Sequence, residues 1–390
     1  MPESGGKETI RMESAQAAPA AGIIESRKAE IAEKEARLAS FLDRNGLAAV
    51  LLARNNNLAW ITAGQVEARV ATGSEAAVCS VLLTRDGRRY CITPANEAPR
   101  MAAEEFSGLF YEPVLYPWID NRTDALAREL AGSGKIGSDL PRPGFETVDI
   151  APLRTPLLPG EIERFRALGA ATAEVTAQTL NGLEPGVTED EMAARIAAGL
   201  LAEHITPTVL LMAVDERIYR YKHAVPRGAV LKRYGMLNLC ARQHGLVVSI
   251  TRFVHFGPPP AELAANFVHS AAINAKLHHA TRKGASGAAI YSAAERAYAE
   301  AGAAEDIALH HQGGAAGYAE REWIITPTST AVVQDPEVYA YNPSLRGAKA
   351  EDTVVLRNGI IENLTPTPGL PSIETEVGGA VYRSAGLLVR

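Results

Sequence analysis

Three cysteines in 390 residues, Cys79, Cys91 and Cys240, are odd in number, widely spaced and free of any C-x-x-C pair. That excludes a disulfide framework or a cysteine-built zinc site and makes a reducing cytoplasm the expected setting. No apolar run approaches the ~18 residues of a membrane span. No apolar stretch follows the scattered early charges either, so a signal peptide is not expected. Basic blocks are missing too, and the formal net charge is −6, which removes the electrostatic basis for a nucleic-acid or lipid-surface partner. What is present, 47% hydrophobic and 22% charged residues, is the balance of a globular protein. A chain of 390 residues exceeds what one hydrophobic core usually serves, which implies two domains.

Residues 1–22 are small and polar, without an apolar period, and read as a disordered tail. Over 23–42, Ile24, Ala29, Ile31, Ala36, Leu38 and Leu42 recur among charges as on an amphipathic helix, closed by Asn45-Gly46. A strand at 47–53, a turn at 55–57 and a hairpin of 78–84 with 89–93 over Asp86-Gly87 follow. Helices at 98–106 and 123–130 and strands at 109–116 and 135–138 complete an α/β domain over 23–150. Pro141, Pro143, Pro152, Pro156 and Pro159 suit a linker.

The region 151–390 opens with a helix at 160–180, then Thr188 and Glu191 spaced as a capping box for a helix to 203. The same order recurs: a helix at 261–280, Lys283-Gly284-Ala285-Ser286, and a helix at 288–301, with Gly186 and Gly284 offset by 98 residues (284 − 186). Strand-like segments follow each copy, at 209–212 and 236–256, then at 322–325 and 353–357. The expected fold class is α+β, with this region internally duplicated and a pocket between its halves.

The most unusual stretch is 310–323. It holds adjacent His310 and His311, glycines at 313, 314 and 317, Tyr318, and Arg321-Glu322-Trp323. Glycines there permit close backbone approach to a ligand, and the flanking groups titrate or hydrogen-bond. Because neighbours on a strand face opposite sides, one of the two histidines, and Arg321 or Glu322, is expected to point inward. Tyr219, Tyr221, Tyr318, Trp323 and Tyr341 lie near these segments in sequence and suit recognition of a small organic ligand. Cys240 reads as an inert core thiol.

Four motifs carry a family resemblance: His223-Ala224-Val225-Pro226; the segment 236–257 with Ser249-Ile250-Thr251-Arg252; the glycine run at 313–317; and Gly347-Ala348-Lys349-Ala350-Glu351-Asp352-Thr353. Over most of its length the chain resembles the pita-bread family of aminopeptidase P, prolidase and creatinase, and 23–150 is similar to that family's smaller N-terminal domain. The resemblance implies a homodimer acting on a small molecule. In metallopeptidase members two aspartates eleven residues apart, a Gly-His histidine and two glutamates hold two metal ions. Here those positions read Asn238, Ser249, Gly314, Asn342 and Glu351. Two divalent ions need several anionic or imidazole ligands to replace their hydration shells, so one carboxylate excludes the dinuclear centre, and no cofactor is expected. A mononuclear site on His310, His311 and Glu322 is the one metal alternative.

Creatinase is similar in lacking the metal and cleaves a C–N bond with a histidine base. His223 stands at that family's active-site histidine and is the expected base or proton shuttle. Glu351 and Glu322 are expected to hold or activate the reacting group. Arg321, where peptidase members place a substrate-contacting histidine, would anchor an acidic substituent. His310, His311, Asn238, Asn342, Tyr318 and Arg252 complete the expected substrate pocket, with Arg252 pairing with Glu351 as its structural alternative. The missing Gly-His histidine and one missing glutamate separate this chain from creatinase, so its substrate is not carried over. The alternative is a non-catalytic pita-bread pseudoenzyme that binds a small ligand, peptide or protein.

Overall fold

The computed structural model describes the backbone from Ala21 to Arg390 and side chains from Arg27. The expected tail lies outside the described residues up to position 20; residues 21 and 22 already belong to the helix Ala21–Arg44. The chain divides into two compact units, one ending at Ile150 and the other running from Ala151 to Arg390.

The first unit is built on a six-stranded sheet in the order Glu112–Tyr116, Arg89–Pro94, Ala76–Thr84, Ala49–Arg54, Ile136–Ser138, Glu146–Thr147. Its centre is antiparallel, with Leu51 opposite Leu82 and Val81 opposite Cys91, and its outer pairings are parallel. Ala49, Leu51, Leu82, Ile92 and Ala127 form a core against the helix Thr123–Ala131. The turn expected at 55–57 is instead the start of a helix, Asn55–Ile61. The asparagines are spent on tertiary bonds: Asn55 Nδ2 donates to the Ser74 and Glu75 carbonyls (both 3.2 Å), and Asn57 Nδ2 donates to Asp139 (2.8 Å). Those partners override the local turn propensity of asparagine.

In the second unit the duplication is explicit. The helices Pro159–Asn181 and Glu189–Ala202 precede the strand Thr206–Val214, and the helices Ala261–Ala280 and Gly287–Glu300 precede the strand Gly313–Ala316. Thr188 Oγ1 accepts from Glu191 N (3.2 Å) while Glu191 Oε2 accepts from Thr188 N (2.8 Å), the reciprocal capping the sequence predicts. Ser286 caps the matching helix through Ala289 N (3.1 Å). Each cap residue makes one isolated bridge, Thr188 to Val230 and Ser286 to Val332.

Beside the two-stranded pairs Ser344–Leu345 with Ala348–Lys349 and Ser372–Val377 with Ala380–Ala385, two larger sheets carry most strands of this unit. One is ordered Leu388–Val389, Leu246–His255, Tyr234–Gln243, Thr206–Val214; the other Trp323–Ile324, Gly313–Ala316, Glu337–Tyr341, Asp352–Arg357, Ile360–Asn363. The long hairpin of the first turns at His244 and Gly245, whose φ values of 54° and 79° suit a two-residue primed turn. That turn fixes a register placing Asn238 opposite Thr251 and Cys240 opposite Ser249. The sheets join where Val247 N donates to the Gly317 carbonyl (2.9 Å) and Thr251 N to the Glu351 carbonyl (3.3 Å). Thr353 Oγ1 bridges Ser249 N (2.7 Å) and Ser249 O (2.9 Å). Asn238, Ser249, Arg252 and Glu351, singled out in the sequence, meet at this seam.

Candidate functional site

At the seam the carboxylate of Glu351 is surrounded by donors. Asn238 Nδ2 donates to Oε2 (2.8 Å), Thr251 Oγ1 donates to the same oxygen, and Arg321 Nη2 reaches Oε1 at 3.3 Å. Arg321 Nη1 also donates to Ser249 Oγ (3.1 Å), and Ser249 Oγ lies 3.2 Å from Cys240 Sγ. The loop between Gly313–Ala316 and Trp323–Ile324 thus delivers a guanidinium into the cluster formed by Asn238, Ser249 and Glu351. Burial pushes the Cys240 thiol up to about 12, which keeps it protonated and inert. Two buried polar atoms, Arg321 Nε and Asn342 Oδ1, have no hydrogen-bond partner. A buried donor or acceptor left unpaired is costly in a packed protein.

Beside this cluster stand three imidazoles. His223 comes from the loop after the helix Glu216–Arg220, and His310 and His311 immediately precede the strand Gly313–Ala316. His310 Nε2 lies 3.0 Å from His223 Nε2, and the His310 and His311 rings stack with centroids 4.5 Å apart. Both adjacent histidines therefore reach the site, where strand alternation predicts one. They precede the regular strand, and His310 Nδ1 closes a 2.6 Å bond to the carbonyl of His311 itself, which turns its ring along the chain. A carbonyl only accepts, so His310 Nδ1 carries the proton and Nε2 the lone pair. His223 Nε2 must then be the donor of the 3.0 Å bond, leaving the His223 lone pair on Nδ1.

All three imidazoles are held neutral at pH 7. Burial, reinforced by the Lys349 charge and the other two rings, lowers His310 to about 2. Burial and then the Arg321 charge lower His311 to about 4. His223 is exposed. Partial desolvation and the Lys349 charge lower its pKa, with Glu351 opposing. Lys349 is buried at 6% exposure, and burial lowers its own pKa. Its part in the site was not assigned from the sequence; the one signal was a lysine two residues before Glu351 in an otherwise small-residue run.

Several expected site residues have other partners. Glu322 pairs with Arg154 through Oε2 and accepts Tyr318 N through Oε1 (2.8 Å), so neither oxygen is available as the expected base. Tyr318, 2% exposed, donates its hydroxyl to Glu161 (2.7 Å) and is structural instead of substrate-binding. Arg252 pairs with Asp352 and donates to the backbone carbonyls of Thr251 (2.7 Å), Glu351 (3.0 Å) and Thr365 (2.8 Å). It therefore ties the seam together, and neither a substrate contact nor an ion pair with the Glu351 carboxylate describes it. The aromatic ring of ligand contacts is likewise corrected: Tyr341 bonds Thr281 (2.7 Å) and Trp323 Nε1 bonds Glu337 (3.1 Å).

The metallopeptidase family M24 model matches residues 163–358, half of the chain, and the creatinase/prolidase N-terminal domain model matches 35–147. The chain belongs to metallopeptidase family M24. Its architecture is therefore a creatinase-type N-terminal domain followed by an α+β pita-bread domain of the prolidase and aminopeptidase P type. Among solved structures, dipeptidase PepE from Mycobacterium ulcerans is 19% identical at a TM-score of 0.72, covering 93% of this chain and 98% of that one. The prolidase from Thermococcus sibiricus is 19% identical at 0.71, covering 87% and 97%. The N-terminal domain of the FACT complex subunit SPT16 from chickpea is 14% identical at 0.63, covering 87% and 97%. No curated protein matches the sequence significantly.

The M24 fold implies metal ions, but the residues at the family's ligand positions do not fit them. Asn238, Ser249 and Asn342 are neutral, Glu351 is already held by three donors, and one of these is a guanidinium. At Gly314 no side chain fits at all, because a Cβ would come within 2.1 Å of the Trp323 carbonyl oxygen. The Arg321 guanidinium beside Ser249 and Glu351 adds positive charge where a dinuclear centre requires negative charge.

Proposed function

We propose that this M24 member hydrolyses a C–N bond of a small polar molecule without the family's dinuclear centre, using His223 as its base. The observation that carries the proposal is the 3.0 Å bond between His223 Nε2 and His310 Nε2, made with His310 locked in its Nδ1–H tautomer. That bond orients the His223 ring and leaves Nδ1 as a lone pair on a neutral imidazole, the state a general base needs. In the step proposed, Nδ1 takes a proton from water as the water oxygen bonds to the substrate carbon. The imidazolium then returns a proton to the departing nitrogen as the C–N bond breaks.

Arg321 supplies charge for an oxyanion or acidic substituent, with Glu351 fixing its position. Among the described residues no helix is long and apolar enough to cross a membrane. The homodimer and the cytoplasmic setting are carried by family resemblance and by cysteine usage; sedimentation velocity tests the former.

The test is turnover of a panel of dipeptides, N-acyl amino acids, ureas and guanidino acids, read as released amine, with wild type and His223→Gln. Loss of at least about 100-fold in kcat with an unchanged melting curve is expected. Full turnover in His223→Gln, or turnover that requires added metal, overturns the reading. A second reading, a pocket that binds without turnover, is favoured by the Arg321–Glu351 pair that closes part of the site; calorimetric binding with no amine released is its signature.

A further inference from the structure

We propose that His223, His310 and His311 form a mononuclear site for a borderline divalent transition ion of the zinc or copper type, and that an ion captured there inhibits the enzyme by shifting the proton of the His223 ring onto Nδ1, its base nitrogen. The site shares no residue with the family's ligand positions. The ring nitrogens of the three side chains that face one another all lie within 4.8 Å. An ion bound at about 2.0–2.1 Å sets neighbouring ligand nitrogens roughly 2.9–3.4 Å apart. The observed 3.0 Å between His310 Nε2 and His223 Nε2 falls within that range, and an ion bound between them replaces the proton of that hydrogen bond, which His223 then carries on Nδ1.

His310 is prepared for this role by its bond to the His311 carbonyl (2.6 Å). A ligating histidine characteristically donates its other N–H to such a group, which fixes the tautomer and aims the lone pair. His310 is buried, whereas His223 and His311 are exposed, so ions enter from solvent and one coordination position stays open to water. His311 is the adjustable member. Its Nδ1 accepts a long 3.3 Å bond from Gly313 N, and ligation through either ring nitrogen gives that bond up.

The surroundings select the class of ion. No carboxylate belongs to the trio, and the Lys349 and Arg321 charges act on its rings. A hard ion held by charge alone, such as Mg2+ or Ca2+, gains little there. Zn2+ and Cu2+ gain from imidazole donation itself. Inhibition rests on the reading of His223 as base; the binding site does not.

The experiment uses the full chain after chelator treatment, without substrate. Zn2+ is titrated calorimetrically, and Cu2+ is followed by electron paramagnetic resonance for coupling to several nitrogens. One equivalent of each is expected, unaffected by excess Mg2+. Affinity should fall by at least about 30-fold in His310→Ala and in the exposed-site variant His311→Gln. It should rise several-fold in Lys349→Met, which removes the opposing charge. Circular dichroism confirms that each variant is folded, and His311→Gln decides if His310→Ala is not. No binding, or one equivalent that survives in His311→Gln and Lys349→Met with unchanged affinity, overturns the site. Binding without loss of turnover leaves the site standing and removes His223 from catalysis, so the two readings fail separately.

Discussion

Replacing Arg321 by methionine keeps much of the side-chain length and removes the charge that faces Glu351. The separation of 3.3 Å corresponds to an attraction of about 5 kcal/mol at an effective dielectric of about 20. Two things reduce the net loss. Arg321 itself recovers some hydration cost, since its side chain is only 11% exposed, and Glu351 keeps the bonds from Asn238 and Thr251. Breaking one side of a buried pair usually costs about 3–5 kcal/mol; with two neutral donors remaining we expect about 3. For a unit of this size that lowers the midpoint of its thermal transition by roughly 8 °C. The assay is urea unfolding of Arg321→Met, Glu351→Gln and the double variant. The double variant should lose at least about 1 kcal/mol less than the sum of the singles, because the unpaired carboxylate is gone. A single-variant loss below about 0.5 kcal/mol, or strict additivity, refutes the view that a guanidinium has taken over charge balance at the family's metal position.

Other perturbations test neighbouring claims. His278 is fully enclosed against the Tyr341 and Tyr382 rings, and burial alone lowers it from 6.5 to about 4. The unfolded chain therefore binds the extra proton first. Stability is fully present above pH 6.5 and is lost as pH falls towards 4, by up to about 3 kcal/mol. Urea midpoints across that window should slope less in His278→Phe; an identical slope removes the assignment. Gly314→Ala forces a Cβ against the Trp323 carbonyl and should cost about 3 kcal/mol, and Gly314→His should bring no metal binding to the Asn238–Glu351 cluster by calorimetry. Tyr318→Phe should lose about 1–2 kcal/mol through its bond to Glu161 while kcat/KM stays unchanged; a fall in kcat/KM places Tyr318 back in the substrate pocket.

Periodicity, capping and turn chemistry are local, and so the sequence by itself determined the helical duplication, the Thr188–Glu191 cap, the hairpin over Asp86-Gly87 and the motifs that mark family M24. Ligand identity is local as well: Asn238, Ser249, Gly314 and Asn342 could be read as lacking charge before any geometry was known. What only the tertiary structure decided were choices between partners far apart in the chain. Glu322 goes to Arg154 and not to the site, Arg252 goes to Asp352, and the tyrosines spend their hydroxyls on Glu161 and Thr281. Alternation gave the wrong answer for His310 and His311 because it describes regular strand, and both residues precede the strand, where the His310 ring bonds the His311 carbonyl and stacks on the His311 ring. The helix at Asn55–Ile61 followed the same rule, since buried asparagine amides bond wherever a distant carbonyl or carboxylate meets them. Lys349 had no signal of charge placement in sequence because desolvation and proximity to three imidazoles are properties of the packed seam, and that seam forms only when Ser249–Thr251 and Glu351–Thr353 meet.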